Sequence, residues 1–147
     1  MDIKPIVKSI DIQASPEKVW NVLINDQLIR EWYAFFSPGS HAITDWQTGS
    51  PVQFLDDTQC GMIGKVAASK PNELLDVELT GFIMHGKEDY ESEGAKAIKG
   101  HRETYRLSKN NDSTTLNINT GMGEDYFETM NTAWDNALQK IKELAEA

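Results

Sequence analysis

The sequence predicts an α+β fold in which an antiparallel sheet packs against a long terminal helix, and three observations predict it. An alternating segment runs straight into a capped helix within residues 10–20, a series of short alternating segments is separated by turn-sized gaps, and residues 124–147 hold neither glycine nor proline. At 147 residues the chain has the size of one domain, 1–147, long enough to bury roughly 70% of its unfolded surface without disulfides.

Ile10 and Ile12 alternate with Asp11 and Gln13, the period of a half-buried strand. Ser15 and Pro16 then predict a helix start. A serine hydroxyl accepts a hydrogen bond from an orphan N–H of the first turn, and proline at the first helical position gives up an N–H that had no partner. Val19, Trp20, Leu23 and Ile24 follow at helical spacing. A second short helix is predicted over Asp26 to Tyr33, with Leu28, Ile29 and Trp32 on one side, and Phe36 to Ser40 breaks it.

Strands are predicted at Ala42 to Trp46, Val52 to Leu55, Met62 to Ser69, Leu74 to Thr80, His101 to Ser108 and Thr114 to Thr120. Gaps such as Lys70-Pro71-Asn72 and Lys109 to Asp112 are too short for parallel crossovers, so the strands pair as hairpins. The connection Gly86 to Gly100 is rich in Lys, Glu and Asp with almost no apolar period, which predicts a long solvated loop near the pocket or the sheet edge. Gly121-Met122-Gly123 reads as a turn leading into the last helix. That helix, Glu124 to Ala147, carries Phe127, Met130, Trp134, Leu138, Ile141 and Leu144 or Ala145 as one apolar stripe. Acids at its start and Lys140 and Lys142 further on follow the helix dipole. At 1.5 Å per residue it is roughly 36 Å long, enough to lie across a sheet and close a two-layer domain.

Fourteen basic against 23 acidic side chains leave a formal charge of -9, which repels nucleic-acid phosphate and anionic lipid, so neither is an expected partner. Cys60 is the single cysteine and is expected to be a small packed residue. A lone thiol makes no internal disulfide, and the sequence shows no signal segment and no apolar run of about 18 residues, so the expected location is cytoplasmic.

The order of strand, capped helix pair, antiparallel strands and long terminal helix resembles the helix-grip fold of the START/Bet v 1-like (SRPBCC) superfamily, specifically its domain similar to the activator of Hsp90 ATPase. The resemblance rests on Ala14-Ser15-Pro16-Glu17-Lys18-Val19-Trp20, Trp32, Asp45-Trp46-Gln47-Thr48-Gly49-Ser50-Pro51-Val52, Gly64-Lys65-Val66, Glu103-Thr104-Tyr105, Thr114-Thr115-Leu116 and the helix carrying Trp134. It implies a curved antiparallel sheet wrapped around the terminal helix, with two short helices after the first strand. Between sheet and helix it implies a cavity that in many members admits an apolar or aromatic molecule. The fold carries lipid carriers, polyketide cyclases, hormone receptors and chaperone regulators, so it implies no single function.

Candidate ligand-binding residues are the large side chains on the expected cavity side: Trp46, Phe54, Tyr105, Met130 and Trp134, with Trp32 and Tyr126 near an opening. Each also fits ordinary core packing. Rings and methionine suit a pocket for varied apolar shapes, and a buried phenol needs a partner that a ligand can supply. Of the acids on strands, Glu103 shares a face with Tyr105 and Leu107 and is the one to test, its competing role being a paired or edge-exposed carboxylate near Arg102 or Arg106. No catalytic set, nucleotide motif or cofactor motif is present. His41, His85 and His101 show no helical ligand spacing; His85 and His101 flank the long connection, where a hairpin would bring them face to face, but surface positions are expected and no metal is predicted.

Three functions follow as expectations. The first is a binding protein for a small hydrophobic or aromatic ligand, as a monomer or homodimer. The second is a regulator of a chaperone or stress partner. The third is a cyclase- or hydratase-like enzyme using the same cavity.

Overall fold

A computed structural model describes residues 2–147. Strand β1 (Ile3–Ile12) leads into helices α1 (Pro16–Ile24) and α2 (Asp26–Tyr33). Strands β2 (His41–Ile43), β3 (Pro51–Leu55), β4 (Gly61–Lys70) and β5 (Leu74–Met84) follow. After β6 (Lys87–Asp89) and helix α3 (Glu93–Ile98) come β7 (Arg102–Asn110) and β8 (Ser113–Gly123). A single 3-10 turn at Glu124–Tyr126 then opens α4 (Phe127–Glu146). The sheet order is β1-β8-β7-β5-β4-β3-β2, with β6 added beside β5. Every pairing is antiparallel. This is the helix-grip arrangement, a curved sheet closed by the terminal helix.

The helix starts form as their sequences dictate. Ser15 accepts the Lys18 N–H at 3.3 Å with Pro16 in the first turn, and Asn25 does the same for α2, accepting from Gln27 N–H at 3.1 Å. Buried Val19, Trp20, Val22 and Leu23 of α1 and Ile29, Trp32 and Tyr33 of α2 join α4 in one core with the inner face of the sheet. On α4 the buried face is Ala133, Trp134, Ala137, Leu138, Ile141 and Ala145, so small residues let the helices approach closely in its second half. The sheet bends because β4 and β5 lose register between Ile63 and Gly64 and again between Val66 and Ala68. Gly64 makes the first irregularity possible: a Cβ there would lie 2.3 Å from the Glu78 carbonyl oxygen.

Three expectations are corrected. Residues 86–100 are not a bare solvated loop, since they contain β6 and α3, with Ala95 and Ile98 buried and Ser92 capping the helix by accepting the Ala95 N–H at 3.1 Å. The charged residues occupy the outer side of this flap, which hides an apolar signal only two residues long. Gly121 to Gly123 is not a turn but the end of β8, paired with Ile3 to Pro5 of β1. Strand β2 stops at Ile43, so Trp46 lies beyond it, at φ 59 in the turn before β3.

Two polar contacts hold this frame at its seams. Fully buried Thr114 of β8 donates from Oγ1 to the Ala14 carbonyl at 2.7 Å, fixing the chain where it leaves the sheet for α1. Between β3 and β4, Asp56 gathers the turn. It accepts from the Thr58 hydroxyl at 2.6 Å, the Thr58 N–H at 2.8 Å, the Cys60 N–H at 3.2 Å and the Ser37 hydroxyl at 3.2 Å. These donors, Thr58 foremost, hold its carboxyl down from 3.8 to about 2.

Replacing Thr114 by valine strands a buried carbonyl, and urea denaturation should show a loss of about 1–3 kcal/mol. Because the Asp56 carboxyl is depressed in the folded protein, its contribution is complete above its ordinary value of 3.8 and disappears as pH falls through about 2. Wild type should therefore lose its stability advantage over Asp56→Asn between pH 4 and pH 2, followed by thermal melts. At Gly81 an added Cβ would lie 2.6 Å from the Tyr90 ring and 2.7 Å from the Asp89 carbonyl. Gly81→Ala should lift the flap and speed tryptic cleavage at Lys87, Lys96 or Lys99.

Candidate functional site

The bent sheet draws away from the first half of α4 and leaves a cavity of about 710 Å³. Its roof is Trp32, Tyr33 and Phe36 from α2 and the segment after it, with Tyr126, Met130 and Trp134 from the start of α4. The sheet supplies Phe54, Met62, Leu79, Phe82, Tyr105 and Met122, and the α3 flap closes one side with Gly94 and Ile98. The mouth carries exposed Met84 and Tyr126.

The roof is an aromatic cluster. Trp134 meets Phe36 edge-on at 4.9 Å between centroids and lies 6.1 Å from Tyr105 and 6.2 Å from Trp32, while Trp32 meets Tyr33 edge-on at 4.6 Å. Such pairs add about 0.5–1.5 kcal/mol each beyond their buried area. They make the roof rigid, so the space beneath is held open by packing around it.

Of the seven residues singled out in the sequence, Trp32, Phe54, Tyr105, Tyr126, Met130 and Trp134 line this cavity. Tyr126 stands at the rim, 60% exposed. Trp32, expected near an opening, is instead fully buried, and its Nε1–H donates to the Val22 carbonyl at 3.0 Å, which ties α2 to α1. Trp46 does not line the cavity. The turn after β2, closed by the Gly49 N–H donating to the Val66 carbonyl at 2.7 Å, places it in the core, so the strand parity that put it on the cavity side does not apply.

Polar side chains meet the cavity in two places, Ser37, Ser40, His41, Asp56 and Cys60 toward β2 and β3, and a second group centred on Glu103. Glu103 on β7 accepts from the Tyr105 hydroxyl at 2.9 Å and from the Thr120 hydroxyl, and Tyr33 of α2 approaches from the roof. Burial pushes the Glu103 carboxyl up, opposed by its two hydroxyl donors. Burial also holds the Tyr33 and Tyr105 phenols well above 10, with the Glu103 charge adding to both, so each stays a neutral hydroxyl at neutral pH. Among the described residues no protein group hydrogen-bonds the Tyr33 hydroxyl, which opens onto the cavity. Glu103 is not paired with an arginine: Arg102 points to the other face, binding Asp76 at 2.5 Å and Glu78 at 3.6 Å. Tyr33 and Thr120 were missed in the sequence, although Ile29 to Tyr33 is a helical repeat and Thr120 continues the parity of Leu116 and Ile118.

The remaining candidates do not converge. Cys60 is half-exposed at the mouth, not packed, with Sγ 3.8 Å from His85 Nδ1. The His101 carbonyl accepts from the Leu79 N–H at 2.9 Å, roughly 17 Å of strand away from the end of β5 beside His85, so the two histidines do not meet. Among the described residues no three His, Cys, Asp or Glu side chains are grouped as metal ligands. No helix of the described residues is long and apolar enough to cross a membrane.

Solved structures share this architecture. The Aha1 dimer from Colwellia psychrerythraea, a solution structure, is 20% identical with a TM-score of 0.73 over 97% of this chain and 96% of that one. Protein MLL2253 from Mesorhizobium loti is 18% identical with a TM-score of 0.74 over 96% of both chains. CalU16 from Micromonospora echinospora is 17% identical with a TM-score of 0.67 over 97% of this chain and 76% of that one. No curated protein matches the sequence significantly. The family model described as activator of Hsp90 ATPase homolog 1-like protein matches residues 13–146, from the chain's first helix cap to the end of α4, and the chain belongs to that family.

Proposed function

We propose that the protein binds a small apolar or aromatic molecule between its sheet and α4. The observation that carries this reading is the cavity itself, about 710 Å³ with an aromatic roof, inside the size range of about 300–1,000 Å³ usual for small-molecule sites. A guest gains about 25 cal/mol for each Å² of apolar surface it removes from water, less the loss of its own freedom. The Glu103, Tyr105 and Tyr33 group supplies the few polar contacts that fix orientation.

A second reading, a regulator of a chaperone ATPase, draws on the family match and on the dimeric state of the Colwellia protein. On that reading the protein works through its outer surface as a monomer or homodimer. Salt-sensitive capture of a large ATPase from lysate, undiminished when the cavity is blocked, would favour it over the first.

Met130 lies on the cavity side of α4 and is only half-buried, so a larger side chain there grows into empty space. Met130→Trp should weaken binding of any captured lipophile at least tenfold while leaving the melting temperature unchanged or higher. Native mass spectrometry and a thermal-shift panel of lipophiles provide the readout. A wild-type protein that retains no added mass and shows no shift across the panel is not a lipophile-binding protein.

A further inference from the structure

The charge of the cavity wall narrows the class of guest, and this inference rests on the binding reading above. The chain has 14 lysines and arginines, yet among the described residues none lines the cavity, whereas two carboxylates, Asp56 and Glu103, do. Asp56 at the mouth is spent on its own turn, with the donors of Thr58, Cys60 and Ser37 around it. His41, the other basic type on the wall, turns its Nδ1 to the Gly39 carbonyl at 2.8 Å. It stands on β2, four strands from Glu103, or roughly 19 Å along the sheet. Glu103 is therefore the one acid inside with capacity left over.

That capacity is specific. An ionised carboxylate offers about four acceptor sites, and the protein fills two of them, from Tyr105 at 2.9 Å and from Thr120. The Tyr33 hydroxyl beside it has no protein partner among the described residues. The rings of Trp32 and Trp134, 6.3 Å and 6.1 Å from the Tyr105 ring, make this end of the cavity aromatic. A carboxylate-bearing guest, such as a fatty acid, would bring a second negative charge into a water-poor space without a cation to meet it. A guest with N–H donors and a positive charge does the opposite and relieves the unpaired acid.

We infer that the cavity takes a cationic apolar guest, an aromatic or aliphatic body carrying a protonated amine that meets Glu103 with the Tyr33 hydroxyl beside it. Four naphthalene probes of matched shape test this by equilibrium dialysis at pH 7: 2-naphthylmethylamine, 2-naphthalenemethanol, 2-methylnaphthalene and 2-naphthoate. The amine should bind at least tenfold more tightly than the hydrocarbon, and the naphthoate at least tenfold more weakly. In Glu103→Gln, its folding checked by thermal melt, the ratio of amine to alcohol affinity should fall to about one. If the naphthoate binds as well as the amine, or the amine keeps its advantage in Glu103→Gln, charge selection is wrong while apolar binding stands. Should the variant fail to fold, the wild-type ranking alone decides. If none of the four binds, the hydrocarbon included, both readings fall.

Discussion

A straight helix and a bowed sheet touch along only part of their shared length, and the rest of this molecule follows from that mismatch. The two register shifts in β4 and β5 bend the sheet, and α4 is one unbroken run from Phe127 to Glu146. Its second half is gripped through Ala137, Ile141 and Ala145, small or slender side chains that let α1 and α2 close on it. Contact there fixes the angle of the helix. Its first half must then stand off from the sheet, and Met130 remains half-buried over open space.

Keeping that space open needs stiffness in the roof, because apolar side chains collapse into any void they can reach. Trp32 is pinned at its ring nitrogen to the Val22 carbonyl, Phe36 meets Trp134 and Tyr33 edge to face, and Tyr105 lies tilted against Trp134. Large planar rings packed against one another cannot fold inward as smaller side chains could. The same rigidity confines the acid. Glu103 sits on a paired strand between β5 and β8, where its carboxylate cannot swing out to solvent without breaking its bonds to Tyr105 and Thr120. An acid so placed costs stability unless something answers its charge.

Much of the architecture was legible because single residues carry it. Ser15-Pro16, the alternation in the strands and the glycine-free stripe of α4 each satisfy one local rule and one long-range rule at once, and the structure agrees with both. Six of the seven residues singled out in the sequence line the cavity, yet parity and helical spacing cannot tell a cavity face from a core face. That ambiguity also explains the failures. Trp46 was placed by extending a strand three residues too far, past an end set by the turn at Gly49 and not by any apolar pattern. Ala95 and Ile98 are one helical turn of signal inside a charged stretch, too short to register as periodic. The absence of lysine and arginine from the wall was not legible at all, because it is a property of which residues meet in space.

Magnitudes say why that last property matters for selection. A guest burying roughly 300 Å² of apolar surface gains about 7.5 kcal/mol, and immobilising it removes about 4 kcal/mol or more. The remainder is a few kcal/mol, common to any body of that size, so shape alone sorts guests weakly. A hydrogen bond to a charged group contributes about 1.5–3 kcal/mol, comparable to the whole remainder. One acid with open acceptor sites, in a wall whose described residues include no lysine or arginine, can therefore separate guests of equal size by charge and hydrogen-bonding pattern. Asp56 does not blur the choice, since its oxygens are held by its own turn, and the formal charge of -9 on the whole chain biases approach in the same direction. Selection by charge and capture by area are thus carried by different atoms, the first by Glu103 and the second by the aromatic roof.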